Sequence, residues 1–414
     1  MKEAHLTIVP SRQEGVLTLV LEGRLDTSNA PDLEQAIRQQ LNGLRQLVID
    51  IKDLDYLTSA GLRVLLSARK ALGREGKLTI LHANAEVWEV FEVTGFLDLL
   101  DVRRDSPSQD EHGGPGAESP ADAGEEDDFL MEKVLQRRNP PLFRLYQDNV
   151  CAAVNLLRKY TRIFPDYTDH SELHSLHVID FCNRLIGRER IARMNDDEIY
   201  CLLLACYLHD TGMGVSEQDY PAFLRQIVSA GLASGPVTDD EREMVRRLHQ
   251  EFSACLIRKY APLFEFPSPD HLFAIVQIAR GHRKTDLEDP AEYPAALPLP
   301  NGNTVCLPYL AALIRLADEI DAAADRNSTL LYDLSGYTDE RQIQVFSYHE
   351  AIRSLRVEPD RFVLHVQTEE NWVWDVVREV VDKMRDTLYY CREVTARRTP
   401  YEITQREIVI DRIR

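Results

Sequence analysis

The chain is poor in several things that would otherwise organise it. Its seven cysteines are scattered singly, with no pair at metal or redox spacing, and Cys201, Cys206 and Cys255 sit inside apolar helical runs. A disulfide framework is thereby excluded, and the usage suits a reducing cytoplasm. No stretch stays apolar long enough to span a bilayer, and Met1-Lys-Glu-Ala-His5 lacks the apolar core of a signal peptide, so a soluble cytoplasmic protein is expected. Basic residues are also short, 48 Lys and Arg against 68 Asp and Glu, for a formal net charge of -20. An acidic surface repels nucleic acid and anionic membranes, and neither is expected as a partner. The sequence has no glycine-lysine phosphate loop, nucleophile elbow or kinase signature, so any phosphate chemistry should be hydrolytic rather than ATP-driven.

What is present divides in two. With 414 residues and 44% apolar content, the chain has room for two domains with sizeable cores. Between Asp105 and Asp128 it is rich in Ser, Pro, Gly and Ala and carries nine carboxylates but no Lys, Arg or large apolar residue. Such a segment self-repels and cannot bury a core, which makes it a flexible linker and the source of much of the negative charge. The expected organisation is a regulatory domain over 1–103, an acidic disordered linker over 104–128, a helical domain over 129–351 and a small α+β appendage over 352–414.

Ahead of the linker, alternation in Gly15-Val-Leu-Thr-Leu-Val-Leu-Glu-Gly23 and the runs Gln46–Ile51 and Lys77–Leu81 read as strands. Helical patterns run from Ala30 to about Leu41, from Ala60 to Leu72 ending at Gly73, and from Ala85 to about Val93. Strands alternating with helices predict a small α/β layer fold. Over nearly its whole length this segment resembles the STAS domain of anti-sigma factor antagonists, through Gly23-Arg-Leu-Asp26 and Leu54-Asp-Tyr-Leu-Thr-Ser-Ala-Gly-Leu62. The resemblance implies a serine phosphorylated by a partner kinase, matching Ser59, although the family often has an aspartate where this chain has Thr58. It also implies an anti-sigma factor or serine kinase as partner. The first turn of the helix beginning near Ala60 offers free amides and a dipole that welcome phosphate, whose charge would repel an acidic or apolar partner surface without unfolding anything. The plainer alternative is that Ser59 or Thr58 only caps that helix.

After the linker the pattern is predominantly helical. Leu142–Tyr160, Ser175–Leu185, Asp197–His209, Asp240–Tyr260, His271–Ala279 and Tyr309–Ala324 are the main candidates. From Ile352 the character changes to a strand-like Arg361–Gln367, a helix around Val376–Val394 and a strand-like Gln405–Asp411.

Within the helical region, His209-Asp210 closes the apolar run Cys201–Leu208. Burying an imidazole beside a carboxylate is costly unless something compensates both, and a bound metal ion is the simplest compensator. Other polar residues recur in like surroundings: His174, His249 on the stripe of Val245 and Phe252, His282 on that of Ile275 and Ile278, and Asp318 with Ala311 and Ile314. Each opens, closes or interrupts a helical pattern. Taken singly, such a histidine is more often a satisfied core or surface residue than a ligand. As an ordered set, His174, His209-Asp210, His249, His282 and Asp318 resemble the HD superfamily of metal-dependent phosphohydrolases over roughly Phe143 to Arg326.

That resemblance implies a mainly α-helical fold with His174, His209, Asp210 and Asp318 as metal ligands. His249 and His282 either complete a second metal site or bind phosphate and protonate the leaving group, which makes them catalytic candidates with Asp210. The family pattern places a valine four residues after the first histidine, which selects His174 through Val178 and makes His170 a neighbour; His177 stands where an arginine is usual. An imidazole and carboxylate set without thiolate suits Mn, Fe, Zn, Ni or Mg, as one ion or two. Arg283 and Lys284 either reach substrate phosphate or form a solvated basic turn. Glu319 and Asp321 are either partners of the ligands or a shifted ligand.

The combined expectation is a bacterial-type signalling protein that hydrolyses nucleotide or cyclic-nucleotide-like phosphoesters and is regulated through a partner-switching domain phosphorylatable at Ser59. The alternative is a non-catalytic anti-sigma factor antagonist whose HD-type domain only senses a ligand or metal. Monomer and homo-oligomer both stay open.

Overall fold

The computed structural model describes residues 6–104, 129–157, 172–324, 347 and 351–412, apart from 14, 27–28, 42, 74–75, 95, 99 and 234. The acidic segment from Asp105 to Asp128, His170 and the last three residues of the helix expected to reach Tyr160 lie outside them. By packing, the described residues form two units, one ending at Leu130 and one beginning at Met131.

The first unit is built on a five-stranded sheet in the order β1-β2-β3-β4-β5. The strands are β1 (Thr7–Gln13), β2 (Val16–Leu25), β3 (Gln46–Leu57), β4 (Lys77–Leu81) and β5 (Asp101–Val102); β1 and β2 are antiparallel and the other pairs parallel. Leu17, Leu19 and Leu21 of β2 and Leu47, Ile49 and Ile51 of β3 are fully buried while their neighbours are not, so one face carries the core. Helices α1 (Ala30–Arg38), α2 (Ser59–Ala71) and α3 (Ala85–Val93) complete the layer fold.

Sequence periodicity found three of these strands and missed two. The face of β1 is largely exposed, which leaves no clear burial alternation, and β5 is only two residues long.

Two glycines explain the motif of this unit. Gly23, at φ 98°, stands where the β2–β3 register shifts, and the shift brings the Leu25 carbonyl to the Thr58 amide at 3.0 Å. A Cβ on Gly61 would lie 2.6 Å from Leu25 Cγ and 2.7 Å from Leu57 Cδ1, so α2 can start this close to the strand ends only with glycine there.

The second unit is mainly helical. Its elements are α4 (Leu130–Arg138), α5 (Pro140–Leu157), α6 (Glu172–Ile186), α7 (Arg188–Ile191), α8 (Asp196–Leu208), α9 (Tyr220–Ser229), α10 (Glu241–Tyr260), α11 (Pro269–Gly281), the short pair β6 (Leu297–Pro298) and β7 (Thr304–Val305), and α12 (Leu307–Ala324). Every residue of α8 from Asp197 to Leu208 is buried, as expected of a helix apolar all round, and α5, α6, α11 and α12 pack on it.

The appendage is a three-stranded sheet, β8 (Ile352–Val357), β9 (Arg361–Val366) and β10 (Glu407–Arg412), with α13 (Asn371–Arg398). The stripe Val373, Val377, Val381, Met384, Leu388, Cys391 and Val394 of α13 is buried, and α13 packs along α12. The short α4, α7 and α9 were not anticipated; α9, for example, buries only Phe223 and Ile227, too few positions to mark a stripe.

No helix among the described residues is long and apolar enough to cross a membrane. All seven cysteines are free thiols, six of them buried.

One buried acid in this unit lies outside the ligand set. Burial raises the Glu132 carboxyl to about 7, against the smaller opposing pull of its own amide and Asn183. A carboxyl whose pKa is raised on folding contributes stability below its unfolded pKa and loses it as pH climbs through the folded value. The expected outcome is that Glu132→Gln gains stability over the parent as pH rises from about 4.5 to 7 and levels off above. The full gain should be on the order of 3 kcal/mol. Urea unfolding of both proteins across that range checks it, and parallel curves would contradict the assignment.

Candidate functional site

The six residues expected as ligands converge from five helices. His174 comes from α6, His209 and Asp210 from the end of α8, His249 from α10, His282 from the end of α11 and Asp318 from α12; none is more than 6% exposed. They form two groups, His174, His209, Asp210 and Asp318 in one, and Asp210, His249 and His282 in the other. Asp210 belongs to both. Its Oδ2 lies 3.5 Å from His174 Nε2 and 3.6 Å from His209 Nε2, and its Oδ1 lies 3.4 Å from His249 Nε2 and 3.5 Å from His282 Nε2. Asp318 Oδ1 stands 3.2 Å from His174 Nε2 and 3.8 Å from His209 Nε2.

The far nitrogens fix the protonation of these rings. Nδ1 of His209 donates to the Cys206 carbonyl at 2.9 Å, that of His249 to the Arg246 carbonyl at 2.8 Å and that of His282 to the Ala279 carbonyl at 2.5 Å. Nδ1 of His174 donates to Asp321 Oδ2 at 2.6 Å. A carbonyl or carboxylate oxygen can only accept, so all four rings carry their proton on Nδ1 and, when neutral, aim a lone pair from Nε2 into the centre. Burial drives His249 down to about 3 despite the opposing charge of Asp210, and burial likewise lowers His282, so both are neutral at pH 7.

Nε2 atoms face each other at 3.0 Å between His174 and His209 and at 2.9 Å between His249 and His282. Lone pairs at that distance repel unless a cation lies among them. Ligands about 2.0–2.2 Å from one ion stand roughly 3.0–3.5 Å from one another. The donor set therefore fits a divalent metal in each group, of the imidazole and carboxylate class.

Local folding explains the positions. The turn Thr211–Gly214 after Asp210 docks on α10, where Ser253 Oγ accepts from the Gly212 amide at 2.8 Å and donates to the His209 carbonyl at 2.5 Å. A Cβ on Gly212 would meet the His249 carbonyl oxygen at 2.2 Å, so only glycine allows the turn this close. Leu248, at φ -117° and ψ 15°, kinks α10 just ahead of His249. On the other side, a Cβ on Gly281 would sit 2.5 Å from Ala311 Cβ, and Arg315 Nε donates to the Gly281 carbonyl at 2.7 Å, which ties the segment before His282 to α12.

The residues left open by sequence separate clearly. Asp321 lies behind the cluster and in neither group: it accepts from His174 and, through Oδ1, from His177 Nδ1 at 2.7 Å. Burial would raise its carboxyl, but His177 and His174 together hold it well below the usual carboxylate range. Glu319 faces Arg283 Nη1 at 3.7 Å and Lys383 Nζ at 2.7 Å. Arg283 is half-buried against the ligands, with Nε 3.4 Å from His249 Nε2 and 3.8 Å from Asp318 Oδ2, whereas Lys284 is exposed and in neither group.

Ser253, Gly212 and Lys383 were missed. Ser253 stands four residues after His249 on one face of α10, a spacing that was readable; nothing in the sequence marks Lys383.

In the first unit, Thr58 takes the capping role. Its Oγ1 accepts from the Gly61 amide at 3.3 Å and donates to the Leu25 carbonyl at 3.3 Å, which places Ser59 at the first helical position of α2.

The STAS domain model matches residues 7–108 and the HD-CE model residues 164–388. The putative anti-sigma factor antagonist BtrV of Bordetella bronchiseptica is 40% identical over 91 residues, 22% of this chain and 78% of that protein. The anti-sigma-B factor antagonist of Staphylococcus aureus strain NCTC 8325 is 29% identical over 100 residues, 24% of this chain and 93% of that protein. A crystal structure of an anti-sigma factor antagonist from Mycobacterium paratuberculosis, 26% identical, aligns over 24% of this chain and 85% of that one with a TM-score of 0.23. With its helical unit matched across more than half of the chain and a separate match ahead of it, the protein belongs to the HD-CE family and carries an N-terminal STAS domain.

Proposed function

We propose that the HD-CE unit is a metal-dependent phosphohydrolase acting on nucleotide or cyclic-nucleotide-like phosphoesters, and that the STAS unit is its regulatory input. The observation that carries this reading is Asp210, which turns one oxygen to each of two histidine groups whose Nε2 lone pairs converge. In this reading His174, His209, Asp210 and Asp318 hold one divalent ion of the Mn, Fe, Zn, Ni or Mg class, and Asp210, His249 and His282 hold a second. Such ions, when bound, lower the pKa of a coordinated water and neutralise charge on a phosphoryl group.

The chain's own residues supply the rest. Asp321, the carbonyls at the ends of α8 and α11 and the carbonyl of Arg246 ahead of the kink in α10 keep each imidazole in the ligating tautomer. The low pKa of His249 and the engagement of its Nδ1 support a ligand's role for it over proton donation to a leaving group. Arg283, beside Asp318 and His249, is the phosphate contact that the geometry favours over the exposed Lys284.

For the STAS unit we infer partner switching with an anti-sigma factor or serine kinase, governed by phosphate at Ser59. Two relatives are named as anti-sigma factor antagonists, and the hydroxyl that caps α2 is that of Thr58, which leaves Ser59 at the first helical position. Phosphate at the first helical position would meet the positive end of α2 and present its charge to a partner.

Two measurements test the reading. Metal-reconstituted wild type should hydrolyse members of a panel of nucleotides, cyclic nucleotides and phosphodiesters, and Asp210→Ala should lose at least about 100-fold in activity. The variant should also retain fewer ions per chain by elemental analysis. Unchanged hydrolysis in Asp210→Ala would refute the enzyme, and silence in wild type with every metal would assign the unit to sensing instead. For the STAS unit, Ser59→Asp should abolish capture of the host's anti-sigma kinase that wild type binds; equal capture would refute the switch.

A further inference from the structure

Glu319 is nearly buried yet stands between two cations drawn from distant parts of the chain. Arg283 follows α11 and Lys383 lies in the middle of α13. Lys383 Nζ sits 2.7 Å from Glu319 Oε1, and Arg283 Nη1 sits 3.7 Å from Glu319 Oε2. The carboxylate is 10% exposed, while the Arg283 and Lys383 side chains are 28% and 62% exposed, so both cations reach solvent from one buried anchor. Arg283 also touches the ligand groups, through Asp318 and His249.

A structural role for this triad is weakly motivated. Helix α13 is already fixed by its seven-residue apolar stripe along α12, and an ion pair with one exposed partner adds little to that. What the arrangement does provide is charge. Arg283 and Lys383 share Glu319, and Asp318 lies 3.8 Å from Arg283, so the two cations are balanced where they meet the cluster; once Asp318 serves a bound ion, both cations reach solvent with only Glu319 between them, in a chain that is otherwise strongly acidic. Glu319 holds both cations in place before any ligand arrives, which reduces the ordering cost of binding.

Building on the phosphohydrolase reading, we propose that Arg283 and Lys383, positioned by Glu319, form an anion subsite beside the ligand cluster, so that the preferred substrate carries a further phosphate beyond the one at the centre. The substrate class is then a polyphosphorylated compound, with Arg283 next to the reacting group and Lys383 on the following phosphate. The C-terminal helix thereby contributes a specificity-determining residue.

The test measures binding rather than turnover, using inorganic pyrophosphate and orthophosphate as probes by calorimetry on the full-length, metal-loaded protein. Wild type should prefer pyrophosphate. Lys383→Ala should weaken pyrophosphate by about tenfold, with orthophosphate affinity and metal content unchanged, and Lys383→Arg should restore it. Glu319→Gln should blunt the same preference. Equal loss of both anions, no loss of either, or a lowered melting temperature without a change in preference would overturn the proposal in favour of a structural ion pair. Because the readout is affinity, a protein that binds pyrophosphate this way and hydrolyses nothing would refute the enzyme while leaving the subsite standing.

Discussion

The helical unit depends on where its helices stop. His209 and His282 each stand just past a helix end and His249 just past a kink, and each donates Nδ1 to the carbonyl three residues before it. Where a helix terminates or kinks, such a carbonyl is open to a side chain that follows it. One hydrogen bond therefore selects the tautomer and aims Nε2 inward. The fourth ring, in the first turn of α6, uses a side chain for the same purpose, that of Asp321. The break in the helix and the chemistry of the ring are the same feature.

This is also why so much of the site was legible. A polar residue on an apolar stripe at the point where a helical pattern ends is visible in sequence, and His209-Asp210, His249 and His282 all have that signature. Asp318 and Asp321, three apart on α12, share a face, but the pattern could not say which faces the Nε2 and which the Nδ1 of His174. The approach of α6 makes that difference, a contact more than a hundred residues away in the chain. Lys383 shows the limit more sharply, since its position in α13 looks like any solvated lysine and its meaning comes from Glu319 alone. In the fold, the strands and helices that bury alternating or periodic faces were readable, whereas β1, β5 and α9 bury too little to leave a pattern.

In the STAS unit, close approach rather than periodicity shapes the motif. Gly61 admits the Leu25 and Leu57 side chains to the start of α2, and the Leu25 carbonyl receives both the amide and the hydroxyl of Thr58. The hydroxyl beside Ser59 is thus committed to the backbone. The two units use helix termini for opposite purposes: the start of α2 meets a strand end and leaves Ser59 in its first turn, and the ends of α8 and α11 are folded inward to build a buried cluster.

The C-terminal helix adds a constraint in time. Tyr390 accepts from the Leu287 amide at 2.9 Å and Arg398 donates to the Tyr293 carbonyl at 2.8 Å, so the loop that follows His282 is secured by the last part of the chain. The sheet of the first unit is complete once Val102 has been made. At roughly 5–20 residues per second, a ribosome needs on the order of 15–60 s more to reach the residues that lock the cluster. During its own synthesis the molecule completes the sheet of its STAS unit well before it can complete the buried histidine and aspartate cluster.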